Sequence, residues 1–314
     1  MRFPFELPER RAFDAVGFGT NAVDFLISVP EYPAFNSKVE LNSYVQAPGG
    51  EVASTMVGLQ RLGLKAAYMG RFGDDDAGRL GIASLRDEGV DLGYAETIEN
   101  ARTQIAFIVI DARNGERTVI WQRDARLHYT ADEVMPNAAV AGRVLHITPH
   151  DTSAAIRLAA EARRAGTIVS IDIDNIFESI DELLPLVDVL IASADLPSRL
   201  TGIDDRHEAL RTLIEKFGCS VAGVTLGSEG SLVLGPEGFI ETPSFSVPGG
   251  CMDTTGSGDA FRAGFLYGIL SNATIEESCK YANAVAALKC RKIGARTSLP
   301  DEKELHDLVK IPRQ

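Results

Sequence analysis

The run Asp253-Thr254-Thr255-Gly256-Ser257-Gly258-Asp259 sets two glycines and an aspartate within four positions, directly before an apolar helical stretch expected to open at Asp259 or Ala260. Closely spaced glycines let backbone N–H groups converge on an anion, and the N-terminus of the following helix adds partial positive charge. Such a segment receives negative charge without a positive side chain. Asp259 admits two readings on residue chemistry alone, and they start level. As a helix cap it accepts orphan N–H bonds and favours the helix dipole. As a general base it takes the proton of an alcohol while the neighbouring amides hold the oxygens of a transferring phosphoryl group. Gly264 and Gly268 inside the helix each cost about 1 kcal/mol relative to alanine, which leans towards function or tight packing. No GxxxxGKS or GxxxxGKT run is present, so the P-loop with its phosphate lysine is absent, and Gly17–Asn21 does not complete the dinucleotide fingerprint GxGxxG.

A second glycine pair, Gly49–Gly50, precedes a helix expected to begin near Glu51 or Val52. It reads as a turn or as a close backbone approach to a polar ligand. Asn21 and Asp24, after the first strand, support the latter, since a carboxylate at Asp24 can accept hydrogen bonds from two hydroxyls of a polyol. The stretch 224–234 reads as strand, tight turn, strand, bringing Gly227 and Gly230 near a flat ligand.

The elements that must hold these residues alternate. Short apolar runs at 14–19, 66–70, 143–148, 167–172, 187–192 and 220–227 are separated by segments whose apolar residues return at helical spacing. The pattern predicts an α/β fold with a mostly parallel sheet covered by helices on both faces. Gly63, Gly89, Gly166 and Gly218 follow helices and can take the left-handed cap conformation. Two pieces are surplus: 37–50 alternates like a strand with one wet face, and 103–122 reads as a hairpin turning at Arg113–Gly115. They are expected to form a small sheet over the carboxyl ends of the main strands, where open α/β sheets bind ligands.

A net charge of -13 on 314 residues disfavours nucleic acid or an anionic membrane as partner. Cys219, Cys251, Cys279 and Cys290 lack metal-ligand spacing and read as reduced thiols. The opening residues lack a secretory signal and no segment approaches a membrane span, so a cytoplasmic location is expected. His128, His146, His150 and His207 have no metal-ligand spacing and are read as ordinary.

The segment 253–265 resembles the C-terminal signature of the ribokinase-like, or PfkB-type, carbohydrate kinases, and 48–78 resembles their N-terminal signature. Similarity extends to the opening 17–24, to 224–230 and to the ending 289–300, covering nearly the whole chain. The resemblance implies one kinase domain over 1–314: a three-layer α/β/α sandwich with a mostly parallel sheet and a small β-sheet lid from about 37–50 and 103–122. It implies ATP with Mg2+ as phosphoryl donor and a hydroxyl of a sugar, sugar acid or nucleoside as acceptor. Asp259 is then the base, and Gly256, Ser257 and Gly258 the anion hole. Asn21, Asp24, Gly49 and Gly50 match the substrate patch, and Thr225, Gly227 and Asn283 the nucleotide site. Asp253, Thr255 and Ser298 are similar to positions that bind a monovalent cation, K+, in some members, ordering the anion-hole loop. Many members dimerise through the lid, so a homodimer is implied as well.

The chain departs from the family in two places. Ser54 stands where many members carry an asparagine that contacts the sugar, and Ser193 and Leu196 stand where Asn-x-x-Glu commonly supports magnesium, with Asp195 adjacent and Asp172 or Asp174 available to assist. Arg102, Arg123 and Arg126 in or beside the lid are candidates for holding an acidic group on the substrate. A sugar or sugar-acid kinase is the expected function, a nucleoside kinase its nearest rival, and a catalytically weak small-molecule sensor the reading from another class.

Overall fold

The computed structural model describes residues 1–310, so the last four residues of the expected 1–314 domain lie outside the described residues. In chain order the strands are β1 (Phe13–Phe18), β2 (Ala22–Val29), β3 (Ser43–Gly49), β4 (Ala66–Met69), β5 (Arg71–Gly73), β6 (Glu96–Ile98), β7 (Ile105–Asp111), β8 (Arg117–Gln122), β9 (Gly142–Ile147), β10 (Ile168–Ile173), β11 (Val189–Ala192), β12 (Val221–Thr225), β13 (Ser231–Gly235) and β14 (Gly238–Thr242). The helices are α1 (Glu51–Arg61), α2 (Asp76–Asp87), α3 (Pro136–Ala141), α4 (Thr152–Arg164), α5 (Ile180–Leu183), α6 (Leu196–Thr201), α7 (Arg206–Phe217), α8 (Ser257–Leu270), α9 (Ile275–Lys289) and α10 (Glu302–Lys310).

Eight strands form one sheet in the order β14-β13-β12-β11-β10-β9-β1-β4. Pairing is parallel from β4 across to β12, and β13 and β14 add an antiparallel edge. Successive side chains of a strand point to opposite faces, and here they enter two separate cores. Ala15, Val144, Val189 and Val221 pack with residues of α1, α8 and α9, whereas their neighbours Val16, Leu145, Leu190 and Ala222 pack with α3, α4 and α7. Both faces are covered, which is why the central strands are continuous apolar runs. The result is the expected three-layer α/β/α sandwich. Gly63, Gly89, Gly166 and Gly218 all have left-handed φ angles, from 74° to 84°.

A second, four-stranded sheet runs β3-β2-β7-β8. The segments 37–50 and 103–122 supply β3 and the β7–β8 hairpin, with residues 37–42 outside any strand. One of its two inner strands comes from a segment not assigned to any element on sequence: Ala22–Val29 forms β2, antiparallel to β3 and parallel to β7. Asp24 therefore sits on a strand of this sheet. Alternation gives the sheet two characters. Phe25 stacks on Phe107 and Tyr44 with ring centroids 5.0 and 6.1 Å apart, and Ile120 pairs with Phe107 on the same face. Asp24, Ala106, Val119 and Trp121 turn the other way, towards the main sheet's cavity.

Candidate active site

Helix α8 begins at Ser257, two residues before the expected start, because Gly256 takes the cap position with a φ of 75°. An added Cβ at Gly256 would also lie 2.8 Å from Ala295 Cβ, so backbone sign and close approach both demand glycine there. Asp259 is thus a first-turn residue of α8. The cap residue, Gly256, has no side chain to make a cap hydrogen bond, and Asp259 stands as the acidic residue of the first turn, where it favours the helix dipole.

Two cavities meet at this turn. One, of about 760 Å³, is lined by Asp24, Gly50, Glu51, Thr255, Gly256 and Asp259 among others. The other, of about 600 Å³, is lined by Gly227, Asn283, Phe261, Val247 and Ala286 among others. Arg117, Thr225, Ser257 and Gly258 line both.

Acidic groups crowd the first cavity. Burial pushes Asp259 above the usual carboxylate range and the Glu51 carboxylate adds to the rise, while Arg262 and Arg117 pull it down. Glu51 and Asp172 are raised too, chiefly by burial, with Arg262 opposing the shift in each. Asp24, also buried, is pushed up to about 6, and the nearby Arg296 moderates the rise. Arg262 reaches the cluster from α8, one turn after Asp259. Its Nη2 lies 2.5 Å from Asp172 Oδ1 and donates to Ile191 O at 3.0 Å.

Asn21 and Ser54 stand behind the cavity wall instead of on it, whereas Asn283 is on it. Asn21 Nδ2 donates to the Tyr68 hydroxyl and to Arg71 O, both at 2.9 Å. Ser54 is fully buried and accepts from Arg296 Nε at 3.2 Å, while Arg296 Nη2 donates to Gly49 O. Asn283 lines the second cavity, and its Nδ2 donates to Ser231 Oγ and Cys279 O, both at 2.9 Å. Arg123 is held by Asp151 at 2.8 Å and Arg126 by Asp124 at 2.6 Å, and neither they nor Arg102 line either cavity. The arginines that do line the first cavity are Arg117, Arg199 and Arg262.

Residues 14–302 match the sequence model of the pfkB family carbohydrate kinases. The chain belongs to the pfkB family. Its chemistry, ATP-dependent phosphoryl transfer to sugars or nucleosides, is the general activity this membership carries. The chain is 32% identical to fructokinase-1 of Zea mays, an alignment covering 94% of this chain and 97% of the relative. In fold it is similar to a putative ribokinase from Agrobacterium tumefaciens, with a TM-score of 0.87 at 24% identity over 95% of this chain and 97% of the other. It is likewise similar to an Arabidopsis thaliana ribokinase complexed with ribose and ATP, at a TM-score of 0.80 and 24% identity, covering 96% and 99% of the two chains.

This pfkB-family chain also carries cavity residues that sequence reasoning passed over. Glu51 is the first residue of α1, directly after the glycine pair. Trp121 faces His150 at 6.3 Å between ring centroids, and His150 faces Phe177 at 5.0 Å, making an aromatic corner of the first cavity. Burial lowers the His150 pKa to about 4, so its ring is neutral at physiological pH. Helical spacing of three from Asp259 was the available signal for Arg262. The strand Arg117–Gln122 is exposed throughout and apolar at both parities, so nothing in it marked Trp121 as facing inward.

Proposed function

We propose that this chain is an ATP-dependent kinase of a small sugar or sugar acid, with Asp259 as general base and the Gly256–Ser257–Gly258 backbone as anion hole. The observation that carries the reading is the meeting of the two cavities at Ser257 and Gly258, with Asp259 on the first side of that boundary. A phosphoryl group crossing from a donor in the second cavity to an acceptor in the first passes the start of α8, where helix N–H groups favour its charge. Asp24 and the Gly49–Gly50 backbone orient the acceptor, and Asp259 takes the proton from its attacking hydroxyl. Thr225, Gly227 and Asn283 border the nucleotide, and the apolar walls Phe261, Val247 and Ala286 suit a flat base. The similarity to a plant fructokinase favours a sugar acceptor.

Magnesium holds few protein oxygens and otherwise relies on water and phosphate. Asp174, exposed at the cavity edge, fits that use, whereas Asp172 is committed to Arg262 and Leu196 is a buried apolar residue. Bound to ATP, the ion neutralises phosphate charge.

The small sheet is read as a lid that excludes water from the first cavity. Its outward apolar face of Phe25, Tyr44, Phe107 and Ile120 fits a second copy of the chain, making a homodimer through the lid. Among the described residues no helix is long and apolar enough to cross a membrane.

One observation favours a second reading: the Trp121–His150–Phe177 corner offers a stacking surface, on which the flat base of a nucleoside would bury more area than the C–H face of a simple sugar. ATP consumption coupled to product mass, across ketoses, aldoses, sugar acids and nucleosides, tests both. A product heavier by one phosphoryl group identifies the acceptor class. ATP binding with no turnover on any acceptor would overturn the kinase reading in favour of a sensor.

A further inference from the structure

Lys289, the last residue of α9, is the only buried lysine among the described residues, at 0% exposure. Its Nζ donates to Asp253 O at 2.8 Å and lies 3.7 Å from Asp253 Oδ2. Asp253 is equally buried. Its Oδ1 accepts from Thr255 N and its Oδ2 from Gly294 N, each at 2.8 Å. Ser298 Oγ donates to Lys289 O, and Met252 N donates to Cys290 O at 2.9 Å. These bonds stitch the loop that leads into Gly256 to the segment after α9.

Asp253, Thr255 and Ser298 are the residues that family resemblance would assign to a monovalent cation, and of these Thr255 Oγ1 is buried without a hydrogen-bond partner among the described residues. Here the Asp253 carbonyl and carboxylate and the Ser298 hydroxyl already have partners inside the chain, and an ammonium stands against Asp253. A potassium ion added there would put a second positive charge beside Lys289, whose one paired carboxylate among the described residues is Asp253. The residues present do not fit a resident potassium ion.

We propose that Lys289 is a tethered cation for the anion-hole loop. Its ammonium, covalently attached and always at hand, neutralises Asp253 and fixes the chain from 253 to 258, so that loop order does not depend on dissolved potassium. Lys289 lines neither cavity and touches no reacting group, which makes it a positioning residue. The structural half of this inference stands on the loop alone, and the catalytic half rests on the kinase reading above.

The test compares KCl with tetramethylammonium chloride at equal ionic strength, reading melting temperature and steady-state turnover. Native protein is expected to melt within about 1 °C in the two salts, because an ion that binds the folded state would raise the midpoint by mass action. Its turnover is expected to be the same in both. Lys289→Ala is expected to lose about tenfold or more in turnover, the scale of an unpaired buried charge, and to melt lower. Potassium or methylammonium should restore both, since the deleted side chain leaves room for a cation. Lys289→Met, which fills the space without charge, should be impaired and not restored. Activation or stabilisation of native protein by potassium would overturn the proposal, as would a Lys289→Ala protein that is unimpaired or that no cation restores. Should Lys289→Ala fail to fold, the native salt comparison and Lys289→Met decide. The melting arm needs no substrate, so failure of the kinase reading leaves the loop claim separately measurable.

Discussion

Arg262 Nη2 and Asp172 Oδ1 lie 2.5 Å apart, joining the start of α8 to the end of β10 beneath the acidic cavity. Arg262 Nε is buried with no hydrogen-bond partner among the described residues, and a Cβ added at Gly258 would come within 2.8 Å of Arg262 Nη1. The guanidinium is therefore packed against the turn that borders both cavities. Removing one member of a buried pair strands the other charge, at about 3–5 kcal/mol. Arg262→Met should lose that order of stability in denaturant unfolding, and adding Asp172→Asn should recover more than half. A double-variant loss equal to the sum of the two single losses would show that the two side chains are not coupled.

Asp259→Asn should cut turnover by about two orders of magnitude or more, the scale of a positioned base, while nucleotide affinity is retained. The same change removes a carboxylate whose charged form burial disfavours, so melting temperature at neutral pH should hold or rise. Near-native turnover would dismiss Asp259 as the base.

The pH dependence has a definite sign. A base acts when ionised, and Asp259 is raised by burial and by Glu51, so kcat/KM should fall as pH drops through a value above the ordinary carboxylate range. Glu51→Gln removes the repulsion and lets Asp259 ionise at lower pH. The acid limb should then move down by about half a unit or more. A limb that stays in place would show that Glu51 does not act on the titrating group.

Asp24 is a stability liability on the same logic. Its folded-state pKa of about 6 lies above the unfolded value, so the stability its protonation contributes is fully present below the unfolded pKa near 4 and lost as pH rises through 6. Asp24→Asn should therefore melt higher than the native chain at pH 8, by up to about 3 kcal/mol, with the advantage vanishing near pH 4. Acceptor KM should rise about tenfold or more as the paired acceptor oxygens are lost. Identical melting at both pH values would contradict the buried-charge account.

Phe107→Glu places a charge in the centre of the lid's outward aromatic face, beside Phe25. Sedimentation is expected to report a dimer for the native chain and a monomer for the variant. A native monomer, or a variant dimer, would remove the lid from the assembly.

The sandwich was legible because each central strand is a short apolar run and four of the helices are followed by a glycine that turns left-handed, Gly63, Gly89, Gly166 and Gly218. The glycine-rich turn at 256–258 was legible because its residues are contiguous. What escaped depends on neighbours distant in sequence. β2 went unassigned because its strand character depends on pairing with β3 and β7, more than a dozen residues on. Lys289 closes the run Ala284-Val285-Ala286-Ala287-Leu288, but Arg291 and Lys292 follow it, so in the sequence it reads as the first of a basic group and nothing marks it as buried. Arg296 gave no sign either: its tie to Ser54 spans 242 positions.

Asp24 belongs to the four-stranded sheet and Asp259 to a helix of the main sandwich, yet both border one cavity. On the kinase reading proposed above, choice of alcohol and activation of alcohol are thereby housed in separate parts of the chain. On that reading, substitutions in β2, β3, β7 and β8 retune the accepted molecule without disturbing the turn proposed to handle phosphate, so a lineage can change its diet while inheriting its chemistry intact.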